Sequence, residues 1–138
     1  MLEVGQLLLS QTALITTDTF AQGASGGITI DANDVLIFGD PDLDLSTTLA
    51  SGTFDVGQSG DIDITAGRLF AQGKSILGVD VVEPTATGNG GDLSLNIREL
   101  VLQGGAQIST ATFGKGNSGD LVVVATDLVE LTGSNAFS

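Results

Sequence analysis

Four segments of this sequence overlay without gaps: "ASGGITIDA" (24–32), "QSGDIDITA" (58–66), "NGGDLSLNI" (89–97) and "NSGDLVVVA" (117–125). They share Gly26, Gly60, Gly91 and Gly119, spaced 34, 31 and 28 residues apart. After each glycine the apolar residues alternate: Ile28/Ile30/Ala32, Ile62/Ile64/Ala66, Leu93/Leu95/Ile97 and Leu121/Val123/Ala125. A period of two belongs to a strand with one buried face. A unit this short cannot cover that face by itself, so it must stack on its own copies. No other feature narrows the choice of folds as far.

A second apolar frame follows each of these. It reads "GQLLLSQ" (5–11), "NDVLIFG" (33–39), "GRLFAQG" (67–73), "RELVLQG" (98–104) and, one residue later in frame, "DLVELTG" (127–133). Its third and fifth positions are apolar: Leu7/Leu9, Val35/Ile37, Leu69/Ala71, Leu100/Leu102 and Val129/Leu131. A third strand is marked by Ile15, Leu49 and Ile108, each eleven residues before a marker glycine. In the remaining unit that place falls on Asp80, so the register must shift there. Phe20, Phe54 and Phe113 recur six residues before a marker, and Gly23, Gly57, Gly88 and Gly116 three before it. Unit length varies by six residues near "GDPDLDLS" and by three near "VDVVEPTAT", outside the strands.

These frames predict an all-β fold: a parallel β-helix with three strands per coil and four to five coils, about 4.8 Å apart. The right-handed twist of parallel crossovers, extended to a coil, predicts a right hand. Residues 1–138 form one repeat segment, and the glycines mark corners that need positive φ or close backbone approach. A leucine-rich repeat would show its Asn/Cys ladder, and a hexapeptide solenoid a period of six; neither is present. Open first and last coils would offer unpaired backbone, which predicts end-to-end self-association or fraying at 1–4 and 133–138.

Charge removes several functions. Seventeen acidic and four basic residues give a formal net charge of −13, which repels phosphate backbones and excludes nucleic-acid partners. The chain has no cysteine and no histidine, so disulfides, thiolate metal sites and thiol or imidazole catalysis are excluded. No apolar run approaches the roughly 20 residues that cross a bilayer, so no membrane insertion is expected. "MLEVGQLLLSQ" lacks a basic flank and a cleavage site, so an export address would lie elsewhere.

The polar positions suggest chemistry only weakly. Asp40, Asp42 and Asp44 in "GDPDLDL" alternate as Ca²⁺ ligands could, but Leu45 stands at the glycine of a calcium-hand loop and Ser51 at its glutamate. A solvated Asp/Pro turn is the preferred reading, and no metal or cofactor site is assigned. Asp61, Asp92 and Asp120 share one corner of three successive coils, where capping of turn amides is preferred to cation binding. "GNGGDLSL" (88–95) is similar to a calcium-binding nonapeptide but occurs once. Thr19, Thr53 and Thr112 align, with Thr17 and Thr110 two residues earlier. An outward array of this kind would suit ice, but Pro84 and Gly52 or Ser51 interrupt it. Polysaccharide cleavage needs clustered acids, a base and long loops. Here Arg68 and Glu99 are equivalent in frame beside Arg98, which reads as a surface salt link worth about 0–1 kcal/mol. No catalytic residue and no enzyme activity are expected.

The stretch "LVLQGGAQISTATFGKGNSGDLVVVATDLVELTG" (100–133) resembles the repeats of filamentous-haemagglutinin-like exoproteins, the large two-partner-secretion proteins of bacteria, cyanobacterial ones above all. The likeness is strong over 92–133, fair over 1–32 and blurred by insertions over 39–88. It implies a right-handed β-helical shaft, secreted and associated with the cell surface and with adhesion to a host-surface or glycan partner. It implies also that this chain is a fragment of a longer shaft, and it transfers no catalytic residue. The alternative expectation is a calcium-dependent or glycan-binding module built on the loops at 39–48 and 80–88.

Overall fold

The computed structural model describes residues 1–133 and the backbone course of 135–137. Ten strands follow in chain order: β1 (Leu2–Ser10), β2 (Leu14–Thr19), β3 (Ile28–Phe38), β4 (Thr47–Thr53), β5 (Ile62–Gln72), β6 (Ser75–Val81), β7 (Leu93–Gln103), β8 (Gln107–Thr112), β9 (Leu121–Thr132) and β10 (Asn135–Phe137). The odd strands form one five-stranded sheet in the order β1-β3-β5-β7-β9, and the even strands form a second, β10-β8-β6-β4-β2. Every pairing is parallel. The chain therefore winds as a β-solenoid of about four turns.

Register stacks like on like. Ile28, Ile62, Leu93 and Leu121 form one interior column, and Leu2, Ile30, Ile64, Leu95 and Val123 the next. Val35, Leu69 and Leu100 continue the series, and the short strands add Ile15, Leu49, Leu77 and Ile108. The members in the middle coils are almost fully buried in one apolar cluster. Aliphatic side chains suit this place, because each must fill a slice only one strand spacing thick.

The two frames that the sequence separates into successive strands run here as one long strand. No turn divides them. Instead the ladder skips Gly5, Asn33, Gly67 and Arg98, and the buried parity changes there. In β3 residues 28, 30 and 32 point inward, Asn33 and Asp34 outward, then Val35 and Ile37 inward again. Two consecutive outward side chains bend the strand without ending it. In β9 the same place takes one extra residue, a bulge opposite Ile97–Glu99, which accounts for the one-residue offset of "DLVELTG".

The glycines divide by physical cause. Those ending β5, β7 and β9 adopt left-handed φ: Gly73 at 68°, Gly104 at 60° and Gly133 at 58°. The first coil has Gln11 and Thr12 there, at 55° and 64°, and so holds two non-glycine residues in a region they seldom occupy. Gly60, Gly91 and Gly119, like Gly57, Gly88 and Gly116, need close approach, because a Cβ on any of them would enter the backbone of the coil below, whereas Gly26 in the first coil has open space there.

Counting back from Gly91 places Asp80 and Pro84 in the columns of Leu49 and Thr53. The register shift expected at Asp80 is present, with Leu77 paired to Leu49, and Pro84 is corrected out of its column, with Val81 paired to Thr53, because the three extra residues follow β6. Residues 80 and 81 thus belong to a strand, not to a loop. Residues 2–4, where fraying was expected, run as the start of β1. Of the corresponding expectation at 133–138, residue 134 and everything beyond it, apart from the backbone of β10, lies outside the described residues.

Candidate functional site

The acidic corner forms by register. Asp92 N–H donates to Asp61 Oδ1 at 2.9 Å, and Asp120 N–H donates to Asp92 Oδ1 at 2.9 Å. The carboxylates of Asp61 and Asp92 thus each cap the turn amide of the following coil and tie the coils together. Asn89 Oδ1 takes the N–H of Asn117 at 3.0 Å in the same manner.

The aligned threonines turn toward their corners. Thr19, Thr53 and Thr112 each donate from Oγ1 to a carbonyl four residues on, that of Gly23 (3.1 Å), Gly57 (2.6 Å) and Gly116 (3.2 Å). Thr53 is fully buried, and Val81 takes the same column in the third coil. These hydroxyls form no outward lattice. Ser51, which the sequence places as an interruption, sits inside a network: it donates to Thr17 C=O at 3.1 Å, lies 3.1 Å from Ser25 Oγ and accepts the Gly60 N–H at 2.9 Å. Its alignment with Thr17 and Thr110 was the signal available for it.

The insertion carrying Asp40, Asp42 and Asp44 is a closed turn. Asp42 N–H donates to Asp40 Oδ1 at 2.9 Å, and Lys74 Nζ donates to the carbonyls of Leu43 and Asp44 at 3.0 and 2.9 Å. Among the described residues no group of three or more His, Cys, Asp or Glu side chains is placed to hold a metal ion. The insertion after β6 is pinned as well, with Thr87 and Gly88 N–H both donating to Asp55 C=O at 3.1 Å. One insertion joins β3 to β4 and the other β6 to β7, so they emerge at different connections of the coil.

Arg68 pairs in register with Asp34 on one side and Glu99 on the other, and its guanidinium lies 5.1 Å from the Phe70 ring centroid. Phe20 and Phe54 stack with centroids 4.5 Å apart. The following positions in that outward column are Val82 and Phe113, whose N–H groups donate to the carbonyls of Thr53 and Val81.

Sequence reasoning gave no role to the carboxylate of Asp80. It sits on the outer face of β6, where its Oδ1 accepts from Ser109 Oγ and from Ala111 N–H, both at 3.1 Å. Burial raises its pKa above the ordinary 3.8, and the two hydrogen bonds only partly oppose that rise. The ionised form is therefore disfavoured in the folded state. Stability gains as pH falls through the raised folded value, and the gain is complete below the unfolded value. Asp80→Asn keeps the double acceptor without the charge. It is expected to melt above the parent at pH 7, with the difference vanishing near pH 3 in paired thermal melts. A lower melting temperature at pH 7 would contradict this.

Comparison with family models, curated proteins and solved structures yields no match.

Proposed function

We propose that the chain is a length of structural shaft, right-handed and three-faced, belonging to an exported, surface-associated adhesin of the filamentous-haemagglutinin-like kind. In this reading the bend at Asn33, Gly67 and Arg98 divides each long strand into two faces, and the even strands supply the third. One observation carries the role. The polar side chains stacked at the corners bond from coil to coil, as Asp61 to Asp92 to Asp120, or cap a corner carbonyl, as Thr53 does. The interior columns meanwhile continue from β1 to β9. Such a body is suited to holding surfaces apart, and its acidity keeps it soluble and repels other acidic surfaces.

Calorimetric titration with Ca²⁺ and a glycan array test the reading against a calcium-dependent or glycan-binding module. No heat and no retained glycan are expected, and saturable binding lost with the loop at 39–48 would overturn the shaft role. A signal peptide and a secretion domain encoded with the same gene would support export.

A further inference from the structure

The corner after each even strand carries an apolar ridge on its outer side. Phe20, Phe54, Val82 and Phe113 follow one another up the stack. The N–H groups of the last three donate to the carbonyls of Thr19, Thr53 and Val81 in the coil below. Phe20, Val82 and Phe113 are 70%, 37% and 67% exposed, and Val56 beside them is 45% exposed. The ridge points across the coil and not along it, so a further coil at either end would lengthen it without covering it. Exposed apolar surface gathered in this way marks an interaction site. Exposed acids line both flanks. Asp18 stands two residues before Phe20, with its carboxylate over Gly52 of the next coil, and Asp55 and Glu83 directly follow Phe54 and Val82. One base, Lys115, stands two residues beyond Phe113.

We propose that this ridge is a docking surface for a cationic amphipathic helix of a partner protein. Spacing selects the helix. Ridge members repeat at the strand spacing of about 4.8 Å, and a helical turn rises about 5.4 Å, so over the three steps from Phe20 to Phe113 the two drift apart by only about 2 Å. Apolar side chains one turn apart can therefore seat between successive rungs. An extended segment repeats every second residue, at roughly 6.6–6.8 Å, and drifts by about 6 Å over the same distance. Nor can a strand add to the middle coils, because β4 and β6 are paired on both sides.

Charge selects the sign. Lysines or arginines beside the apolar stripe would meet Asp18 on one flank and Asp55 and Glu83 on the other, whereas an acidic helix is repelled by these and by the formal net charge of −13. A saccharide fits less well. It stacks on open ring faces, and Phe20 and Phe54 turn theirs toward each other, with centroids 4.5 Å apart and planes 16° from parallel. The footprint is one face of a helix, in the weak class below about 1,200 Å² in total, so reversible binding is expected. The inference rests on the stacked corners and not on the shaft role, so calcium binding at the loop would leave it untouched.

Fluorescence anisotropy of a labelled 18-residue peptide, with leucines on one helical stripe and lysines on both sides of it, is the test. Titrated with the full chain, it should bind saturably, gain helical circular dichroism and weaken about tenfold from roughly 0.05 to 0.5 M NaCl. Phe54→Ser should weaken binding about tenfold. Phe113→Ser, at a largely exposed site, replaces it should that variant unfold. Asp55→Asn with Glu83→Gln should weaken binding and flatten its salt dependence. Asp31→Asn with Asp63→Asn, the same charge change on the exposed face of the other sheet, should leave it unchanged. The proposal is overturned if the parent chain does not bind, if a scrambled peptide of equal composition binds as tightly, or if the ridge variants bind like the parent. Equal weakening by the two acid pairs would also overturn it, since the attraction would then belong to the whole surface. A glycan held by the parent and lost with Phe113→Ser would give the ridge to a saccharide instead.

Discussion

Leu95→Asp is expected to abolish the cooperative fold. Leu95 is 1% exposed, in the column between Ile64 and Val123. Removing its side chain forfeits about 1.5–3 kcal/mol of apolar burial. The carboxylate then enters a dry interior without a partner, which costs several kcal/mol more even if it is neutralised. The sum reaches the roughly 5–15 kcal/mol that holds a typical domain together. Asn96→Asp is the matched control. It adds the same charge one residue away on the exposed face of β7, and should change stability by no more than about 0.5 kcal/mol. Val123→Asp tests the gradient along the column, because its site at the last coil already reaches water. Circular dichroism and thermal melts of the three variants should rank them Leu95→Asp, Val123→Asp, Asn96→Asp in order of damage. A Leu95→Asp protein that melts like the parent would mean the strand faces are assigned the wrong way round.

The same alternation explains how much of the fold the sequence discloses. Leu93/Leu95/Ile97 and Leu121/Val123/Ala125 match in pattern and in space, since an aliphatic column one strand spacing deep leaves little freedom of residue type. The one-residue offset of "DLVELTG" likewise announces the bulge. A bend and a turn, by contrast, leave the same trace. Two outward residues at Asn33–Asp34 shift the phase of the pattern whether or not pairing stops there. The count from Gly91 lands on Asp80 and so announces a register shift in β6, but it leaves Pro84 in the column that Val81 occupies, because three inserted residues lie between β6 and the marker.

The polar sites divide along similar lines. The Asp61, Asp92 and Asp120 column was legible, since a repeated acid beside a corner glycine has turn amides within reach. The direction of Thr19, Thr53 and Thr112 was not. A methyl and a hydroxyl on one carbon suit either face of a strand, and only the corner carbonyls decide. Asp80 was hidden for a related reason. Its bonds go to Ser109 and Ala111, 29 and 31 residues away, and the pairing of β6 with β8 becomes visible only once the register of the third coil is right.

Gly88→Ala should be the most damaging of the single-methyl substitutions at the corners. The φ of Gly88 is not in the left-handed region, so the backbone itself would accept alanine. The obstacle is the coil below. An added Cβ would lie inside the carbonyl of Gly57, a rigid neighbour that cannot swing aside as a long side chain would. Relief would require the coils to separate locally. The ladders between β5 and β7 and between β4 and β6 hold them at strand spacing on both sides of the corner. Overpacking of this kind costs about 2–3 kcal/mol, which corresponds to a fall in melting temperature of roughly 10 °C for a domain of this size. Gly26→Ala is the control. Gly26 belongs to the first coil, where nothing lies within 4 Å of the added atom. That variant should match the parent, or gain a few tenths of a kcal/mol because alanine restricts the unfolded chain. Equal melting temperatures for the two variants would show that the corners are not stacked as tightly as the register of the strands requires.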